Sequence, residues 1–282
     1  MALAGHSSSG KTSLAEAILH HLKVTDRLLS VDEGNSIADY DPEEVRRKTS
    51  INSAILPVEY GSCKINLIDL PGYRDFVGDI KNGMNAAEAV VLVVDATSGI
   101  EVGVELSWEY AEEFNRPVLV FVNKLDKERA SYTETIQKLS GAFSTNLVPL
   151  TIPVGEEAGF SSVVDIVRMN KVNETPGEKP KYEKIPDELS DAAEEARMAL
   201  VEAAAEGDDS LTEKFLDDQP LTEEEIHRGL KEAFKARRFV PVLCGAATKE
   251  IGVAPLLEFI TAAVPAPDEV AAPVAYKPDS DE

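Results

Sequence analysis

Residues 5–12 combine the residue types that bind phosphate. They read GHSSSGKT, follow a short apolar run and precede a predicted helix, which is the context that a GxxxxGK[ST] phosphate loop requires. Its glycines let backbone N–H groups turn inward around a β-phosphate, Lys11 neutralises β/γ charge, and the Thr12 hydroxyl is suited to ligate Mg²⁺. The pattern predicts a nucleotide site but does not separate ATP from GTP.

Residues 123–126 read NKLD and follow a buried strand predicted at 117–122. The Asp126 carboxylate can accept from the guanine N1–H and N2–H together, and adenine offers no such pair of donors. The Lys124 stem can lie over the base plane, and Asn123 can tie this loop to the phosphate loop. The presence of Asp126 therefore indicates specificity for guanine. It disfavours the alternative interpretation, a P-loop ATPase.

A third base-contacting loop is expected after the last predicted strand, where residues 243–248 read LCGAAT. In this turn, which includes Gly245 and Ala246, the backbone N–H of Ala247 can meet the guanine carbonyl. A plain strand-to-helix turn is the alternative for this segment.

Two segments are placed to respond to a γ-phosphate. The sequence DLPG closes a predicted strand, where Asp69 can hold a water on Mg²⁺ and the Gly72 N–H can bond the γ-phosphate. Loss of that phosphate would release the segment. The first switch is expected between residues 32 and 51, with Ser50 favoured over Thr49 as the second magnesium hydroxyl. A solvated basic turn is the alternative for RRKTSI.

Strand-like and helix-like segments alternate around these motifs. Strands are predicted at 2–4, 65–68, 89–95, 117–122 and 240–243, and helices at 14–22, 101–115, 132–141 and 253–263. Continuous Val, Ile and Leu strands between helices indicate a parallel sheet that is covered on both faces. The predicted fold class is α/β, a P-loop GTPase fold with a mostly parallel sheet and an inserted α+β subdomain.

The insertion is predicted from a change of character near residue 156. Residues 162–172 are strand-forming, residues 173–184 are polar and predict a loop, and helices are predicted at 187–207, 210–216 and 222–236, the last with a Thr222/Glu225 capping box. We assign 1–158 and 239–268 to a GTP-binding domain and 159–238 to the insertion. Residues 269–282 predict a linker toward a following domain, as in a fragment of a longer protein.

Charge and composition narrow the classes of partner. The chain has 51 Asp and Glu against 28 Lys and Arg, a formal net charge of −23, which disfavours broad non-specific nucleic-acid binding. Cys63 and Cys244 lie in apolar runs and are expected to be reduced core thiols, while His20, His21 and His227 are expected on the surface. No apolar run approaches the ~20 residues of a membrane span, and no leader peptide is evident. We expect a cytoplasmic monomer.

With these motifs, the chain resembles the translational GTPases, most closely elongation factor G. The likeness includes GHSSSGKT, DLPGYRDF (69–76), NKLD and CGAATKEIGVAPLLE (244–258) followed by VPAP (264–267). It extends into the insertion, through GF (159–160), VVDIV (163–167), EKFL (213–216) and LTEEEI (221–226), and the insertion is similar to the G′ subdomain of that factor.

The resemblance implies that GTP or GDP is bound with Mg²⁺, that the ribosome is a partner, and that the insertion contacts the ribosomal stalk protein. A ribosomal protection protein is the rival within the same family. The predicted nucleotide-binding residues are Gly5, His6, Ser7, Ser8, Ser9, Gly10, Lys11, Thr12, Ser13, Asn123, Lys124, Asp126, Gly245, Ala246 and Ala247. The predicted metal residues are Thr12, Ser50 and, through a water, Asp69.

The chain departs from the family pattern at the hydrolytic positions. The family places a histidine after DxPG to orient the attacking water, and Tyr73 stands there in this chain. Ser7 and Ser8 replace an isoleucine and an aspartate of the family phosphate loop. Tyrosine has an ordinary pKa of ~10, which makes it a poor acid/base partner at neutral pH. We therefore expect a GTPase of low intrinsic rate, with Tyr73, Lys11 and Gly72 as catalytic residues; a GTP-binding switch with negligible hydrolysis is the alternative.

Overall fold

A computed structural model describes residues 1–175 and 178–270 of the 282-residue chain. The strands are β1 (Ala2–Ala4), β2 (Ala54–Tyr60), β3 (Cys63–Asp69), β4 (Val90–Asp95), β5 (Val118–Asn123), β6 (Leu147–Pro149), β7 (Thr151–Val154), β8 (Ser162–Asp165), β9 (Asn170–Asn173), β10 (Lys181–Glu183) and β11 (Val240–Cys244). The helices are α1 (Lys11–His21), α2 (Pro42–Arg47), α3 (Val77–Ala86), α4 (Val102–Glu113), α5 (Tyr132–Phe143), α6 (Ser190–Ala205), α7 (Asp209–Leu216), α8 (Glu223–Lys235) and α9 (Val253–Ala263).

Seven strands form the larger sheet, in the order β2-β3-β1-β4-β5-β11-β6. Within it β2 pairs antiparallel with β3, and the other described pairings are parallel. The predicted α/β class with a mostly parallel sheet is therefore confirmed. Strand β2, which lies at the edge of this sheet, was not predicted from the sequence.

Alternate residues of the fully buried strand β4 enter two hydrophobic clusters. Val91 and Val93 belong to a cluster that includes residues of α1 and α9, and Leu92 and Val94 belong to one that includes residues of α3, α4 and α5. Because side chains on a strand alternate between the two faces of a sheet, these helices cover opposite faces.

The strand register brings the predicted motifs to one edge of the sheet. Asp95 at the end of β4 lies beside Asn123 at the end of β5, and Leu3 of β1 lies beside Asp69 at the end of β3. The carboxyl ends of parallel strands therefore meet where ligands bind in open α/β sheets. The loops after β1, β3, β5 and β11 are the ones that carry the motifs.

The insertion forms a second sheet, which is antiparallel and has the order β10-β9-β8-β7. Its first strand, Thr151–Val154, lies before residue 159, so the second sheet begins inside the segment assigned to the GTP-binding domain. The prediction of a loop at 173–184 is wrong at Lys181–Glu183, because β10 extends the sheet there. Residues 176–177, and residues 271–282 of the predicted linker, lie outside the described residues.

The insertion helices pack against the rest of the chain. Phe234 of α8 meets Phe259 of α9 edge to face, with ring centroids 5.4 Å apart, and both belong to one core with α1 and the larger sheet. The capping box of Thr222 and Glu225 is present at the start of α8. None of the helices in residues 1–175 and 178–270 has the length and apolarity to cross a membrane.

Both cysteines are unbonded to other sulfurs, but only one of them is a core thiol. Cys244 is buried at the end of β11, while Cys63 at the start of β3 is partly exposed. The expectation of a buried Cys63 is therefore wrong, because the residue begins an edge hairpin with β2.

Candidate functional site

The loop of residues 5–10 connects β1 to α1, which begins at Lys11. Gly10 has φ of 95°, and a Cβ on it would lie 2.3 Å from Asn123 Nδ2, so the loop requires glycine there. Lys11 Nζ donates to the carbonyl oxygens of Gly5 at 3.2 Å and His6 at 2.8 Å. The ammonium group therefore lies across the loop, beside a helix N-terminus of the kind that binds anions.

The charge state of Lys11 depends on its surroundings. Burial lowers the pKa of Lys11 to about 8, although Asp69 and Asp39 oppose this shift. A phosphate group beside the ammonium would favour the charged form. A bound anion therefore compensates for the burial of this cation.

Two of the three serines in the loop, together with the first residues of α1, line a cavity of about 690 Å³. Ser7, Ser8 and Ser13 line it together with Lys11 and Thr12. Ser9 is buried, and its Oγ has no hydrogen-bond partner within the described residues. The cavity is large enough for a nucleotide, within the range typical of small-molecule sites.

His6 belongs to the loop, but its side chain is directed elsewhere. Its Nδ1 accepts from the Gly103 N–H at 3.1 Å, and its Nε2 lies 3.4 Å from the Glu101 carboxylate at the start of α4. The nucleotide contact predicted for His6 is therefore limited to its backbone, of which the carbonyl already accepts from Lys11.

The three residues predicted for magnesium lie in one cluster. Thr12 Oγ1 donates to Asp69 Oδ2 at 2.7 Å and lies 3.1 Å from Ser50 Oγ, which donates to Asp39 Oδ1 at 2.8 Å. Ser50, rather than Thr49, makes these contacts. Hydroxyl and carboxylate oxygens are ligands that Mg²⁺ prefers.

The carboxyl groups of this cluster fit a divalent cation. Burial raises the pKa of Asp69 to about 7, against the hydrogen bond from Thr12 and the charge of Lys11. Burial likewise raises the pKa of Asp39, against the hydrogen bond from Ser50. Asp69 Oδ1 is buried and has no partner within residues 1–175 and 178–270. A cation here would favour the ionised carboxylates and use the open acceptor.

Two buried glutamates fix the segment that was predicted as the first switch. Glu16 of α1 accepts from the Ile37 N–H at 2.7 Å. Glu44 of α2 accepts from the N–H groups of Ile51 and Asn52, each at 2.8 Å. The first part of the segment is therefore hydrogen-bonded to α1, and its last part is hydrogen-bonded to α2, which lies within the segment.

Gly72 and Tyr73 follow β3 but occupy different environments. A Cβ on Gly72 would lie 2.6 Å from Lys11 Nζ and 2.6 Å from the Ser7 nitrogen. The backbone of Gly72 therefore packs directly on the phosphate loop. Tyr73 is 45% exposed and precedes the short 3₁₀ helix Arg74–Phe76. It is not one of the residues that line the cavity.

Asn123 connects the loops that surround the cavity. Its Nδ2 donates to the Ser9 carbonyl at 3.0 Å, and its Oδ1 accepts from the Ala247 N–H at 3.0 Å. The amide thus joins the phosphate loop to the loop after β11. This is the tie to the phosphate loop that the NKLD pattern predicted.

Lys124 is held by the end of the neighbouring strand. Its Nζ donates to Asp95 Oδ2 at 2.6 Å. Burial alone would raise the pKa of Asp95, but the bonds from Lys124 and Thr97 outweigh it and lower that pKa. The anchored stem of Lys124 lines the cavity.

Asp126 has a carboxylate oxygen without a partner in the described residues, but it is not one of the residues that line the cavity. Its side chain is 4% exposed, and its Oδ1 has no hydrogen-bond partner in the described part of the chain. Its Oδ2 lies 3.2 Å from Lys127 Nζ and 3.8 Å from Lys249 Nζ. A buried carboxylate with an open oxygen matches a base that presents N–H donors.

The contact predicted for Ala247 requires a correction. Its N–H donates to Asn123 Oδ1, while the N–H of Ala246 donates to Ile251 and that of Gly245 to the end of β5. None of these three donors therefore remains for the guanine carbonyl. Thr248, the next residue, lines the cavity and takes the place of Ala247 as the candidate for this contact.

The surface position expected for the histidines holds for only one of the three. His20 Nδ1 lies 2.7 Å from the buried Glu250 Oε1, in the loop after β11. His21 is partly buried, and burial together with the His20 charge lowers its pKa. His227 is exposed. His20 is partly buried because its side chain contacts Glu250, in the loop after β11.

The family model described as Elongation factor Tu GTP binding domain matches residues 1–266. The chain belongs to this family. It is 35% identical over 264 residues to Elongation factor G of Thermotoga neapolitana, and 35% identical over 259 residues to the Elongation factor G-like protein of Thermotoga maritima. These matches cover 93% and 92% of this chain, but 38% and 36% of the two relatives.

A solved structure also matches this GTP-binding domain. The crystal structure of a protein from Thermus thermophilus is 33% identical and superposes with a TM-score of 0.89, covering 95% of this chain and 40% of that one. The likeness to elongation factor G is therefore confirmed. The chain spans less than half the length of these relatives.

Three site residues of this GTP-binding domain were missed from the sequence. Asp39 joins the cluster of Thr12, Ser50 and Asp69, and Glu16 and Glu44 hold the segment around it. Asp39 stood within the predicted first switch at 32–51, and that position was the available signal. Glu16 carried no signal, because a glutamate in a helix is ordinarily solvated.

Proposed function

We propose that this chain is the guanine-nucleotide domain of an elongation factor G-like protein of the cytoplasm. It binds GTP or GDP with Mg²⁺ and hydrolyses GTP slowly until the ribosome stimulates it. In this proposal residues 159–238 act as a G′-like insertion within the domain. The surrounding protein contacts the ribosome locally, as a monomer.

The observation that carries this proposal is the position of Asn123. Its amide ties the phosphate loop at Ser9 to the loop after β11 at Ala247, with Asp126 three residues further on. One side chain thereby fixes the distance between a phosphate-binding loop and a base-binding loop. The open carboxylate oxygen of Asp126 gives the reason to choose guanine.

Each group of the site has a defined task in binding. Lys11 and the N–H groups of the phosphate loop hold the β- and γ-phosphates, and the Lys124 stem covers the base. Thr12 and Ser50 would hold Mg²⁺ directly, and Asp69 and Asp39 would hold it through water. Bound magnesium supplies neutralisation of the charge on the phosphates. Gly72, whose backbone touches the phosphate loop, offers its N–H to the γ-phosphate.

Hydrolysis depends on Tyr73, which stands where the family has histidine. The Tyr73 hydroxyl can orient a water, but tyrosine is a poor proton acceptor at neutral pH. The exposed position of Tyr73 leaves it available to a partner surface. We therefore assign the low intrinsic rate to Tyr73 and the stimulated rate to its placement by the ribosome.

Single-turnover GTP hydrolysis by the full-length protein, with and without ribosomes, tests this assignment. We expect stimulation by ribosomes, and a higher intrinsic rate for Tyr73→His with unchanged GDP affinity. If ribosomes leave the rate of the native protein unchanged, the second candidate function holds, in which GTP acts as a binding switch without turnover. Competition by ATP as strong as by GTP would refute guanine specificity.

The stalk contact through the insertion is a separate part of the proposal. Leu216 at the end of α7 is 74% exposed, and Phe215 and Met198 are also exposed. Deleting 159–238 would open the core shared by α8 and α9, so a surface change is the better test. We expect Leu216→Asp to weaken ribosomal stimulation while GDP affinity stays the same. Unchanged stimulation would place the stalk contact elsewhere.

A further inference from the structure

Helix α9 has no side-chain cap of its own. The residue before the helix is Gly252, which has φ of 88°. Because glycine has no side chain, it offers no side-chain acceptor to the first N–H groups of the helix. Such N–H groups normally require a capping oxygen.

The insertion supplies this acceptor from a distant part of the sequence. Glu174, one residue after β9, accepts from the Gly252 N–H through Oε2 and from the Ala254 N–H at 2.6 Å through Oε1. Burial raises the pKa of Glu174 to about 7, while the N–H groups of α9 oppose the shift. A carboxyl group at a helix N-terminus is in the place where its charge is best stabilised.

The capped end of α9 lies against the loop after β11. A Cβ on Gly252 would lie 2.3 Å from the Cys244 carbonyl and 3.1 Å from Gly245 Cα. Ala246 and Ile251 pair as an antiparallel bridge, with bonds of 3.0 and 3.2 Å. Residues 247–250 lie within this bridge. A displacement of the start of α9 would therefore move them as well.

Those residues, 247–250, contact the base-binding side of the site. Ala247 is bonded to Asn123, Thr248 lines the cavity, and Lys249 lies 3.8 Å from Asp126. Glu250 holds the same loop to α1 through His20.

A second polar contact makes the link from the insertion to α9 rigid. Glu258 of α9 accepts from the Tyr182 hydroxyl at 3.1 Å and lies 3.3 Å from the Arg168 guanidinium. Arg168 also lies over the ring of Tyr182. The insertion thus holds α9 at its first turn and again one to two turns further along.

We propose that Glu174 is a positioning residue for guanine binding: through the N-terminus of α9, the insertion sets the position of the loop that meets the guanine carbonyl. The proposal rests on the proposed function, because it takes residues 245–252 as the loop that contacts guanine. It makes the insertion part of the base site and not only a surface for partners.

The test measures GDP and 6-thio-GDP binding to the full chain carrying Glu174→Ala. Sulfur is a weaker acceptor than oxygen, so the ratio of the two affinities reports on the contact to the guanine carbonyl. We expect GDP to dissociate about tenfold faster, within the usual range of coupling between sites, and the preference for GDP over 6-thio-GDP to shrink. Glu174→Gln keeps one acceptor. It should therefore bring both the GDP dissociation rate and the preference for GDP over 6-thio-GDP part of the way back to their native values.

The matched control is Glu183→Gln. Glu183 is an exposed glutamate of the same sheet and pairs with Lys171, so its substitution should leave the binding of GDP and of 6-thio-GDP unchanged. Equal weakening of GDP and 6-thio-GDP by Glu174→Ala would overturn the proposal, since general destabilisation gives that result. Unchanged GDP dissociation would overturn it as well. If the native chain binds no guanine nucleotide, the proposed function itself fails.

Discussion

Replacing Asp126 by asparagine removes one acceptor and adds one donor at the base-binding loop. In the native site, guanine would present N1–H and N2–H to the two carboxylate oxygens, of which Oδ1 is buried and has no partner in the described residues. The asparagine side chain keeps one oxygen and turns an NH₂ group toward one guanine donor. One N–H of the base is then buried against another donor.

The cost can be worked from these contacts. Loss of a hydrogen bond to a charged acceptor costs about 1.5–3 kcal/mol, and a buried N–H without a partner costs about 1–3 kcal/mol. The sum of about 2.5–6 kcal/mol corresponds to a dissociation constant that is about 10²- to 10⁴-fold weaker. Lys127 and Lys249 lose their anion too, but both are about half exposed, so their contribution is small.

The same substitution should favour xanthine. Xanthine has a carbonyl oxygen where guanine has its N2 amine, so the NH₂ group of the introduced asparagine donates to it while the amide oxygen accepts from N1–H. We expect Asp126→Asn to bind XDP about as tightly as the native chain binds GDP. Titration of fluorescent GDP and XDP derivatives into both proteins measures the exchange of preference.

Lys127→Gln is the matched control, since it changes the exposed neighbour and leaves the carboxylate in place. It should alter GDP affinity by less than about threefold, the effect of an exposed ion pair. The reasoning is refuted if Asp126→Asn binds GDP as the native chain does, or loses GDP without gaining XDP. Either result would mean that Asp126 does not contact the base.

Three further predictions concern the phosphate side. Since burial lowers the pKa of Lys11 to about 8 and bound phosphate favours its charged form, GDP should bind about fourfold more weakly at pH 8.5 than at pH 7, measured by calorimetry; constant affinity would contradict this sign. Gly10→Ala should abolish GDP binding, whereas Gly61→Ala, also at positive φ but with open space around its Cα, should only lower the melting temperature; similar effects on binding would be unexpected. Glu44→Ala, which removes both acceptor oxygens, should release the Ile51 N–H and speed tryptic cleavage of the segment before it, and unchanged proteolysis would argue against the anchor.

The sequence predicted those parts of the fold that rest on continuous apolar runs and backbone-shaping residues. The strands β4, β5 and β11 and the helix α9 were predicted within two residues at each end. Strand β2 was missed because Pro57 interrupts its apolar pattern, and an edge strand tolerates proline. Helix α2 was also missed, although Asp41 and Glu44 form a capping box and Pro42 stands at the first helical position, all visible in the sequence.

Side-chain partners that are distant in sequence could not be predicted. Ala247 stands at the right place for a base contact, but its N–H bonds to Asn123, 124 residues away. His20 has the helical position of a surface residue, yet the fold brings Glu250 against it. Hydrogen-bond donors and buried pairs of this kind depend on how loops from different strands meet, which local spacing does not encode.

The loop at residues 245–252, on the base side of the site, is held by more contacts than Tyr73, on the side proposed for hydrolysis. Residues 245–252 are held by Asn123, by the His20–Glu250 pair and by Glu174. By contrast, Tyr73 is half exposed and lies at the end of a turn whose contact with the phosphate loop is made by the backbone of Gly72. Substitutions at Tyr73 can therefore change turnover without changing affinity for guanine. Under the proposed function, this separation would let the chain bind nucleotide although Tyr73 stands where the family pattern has histidine, and it predicts that Tyr73→His alters the rate and not the dissociation constant.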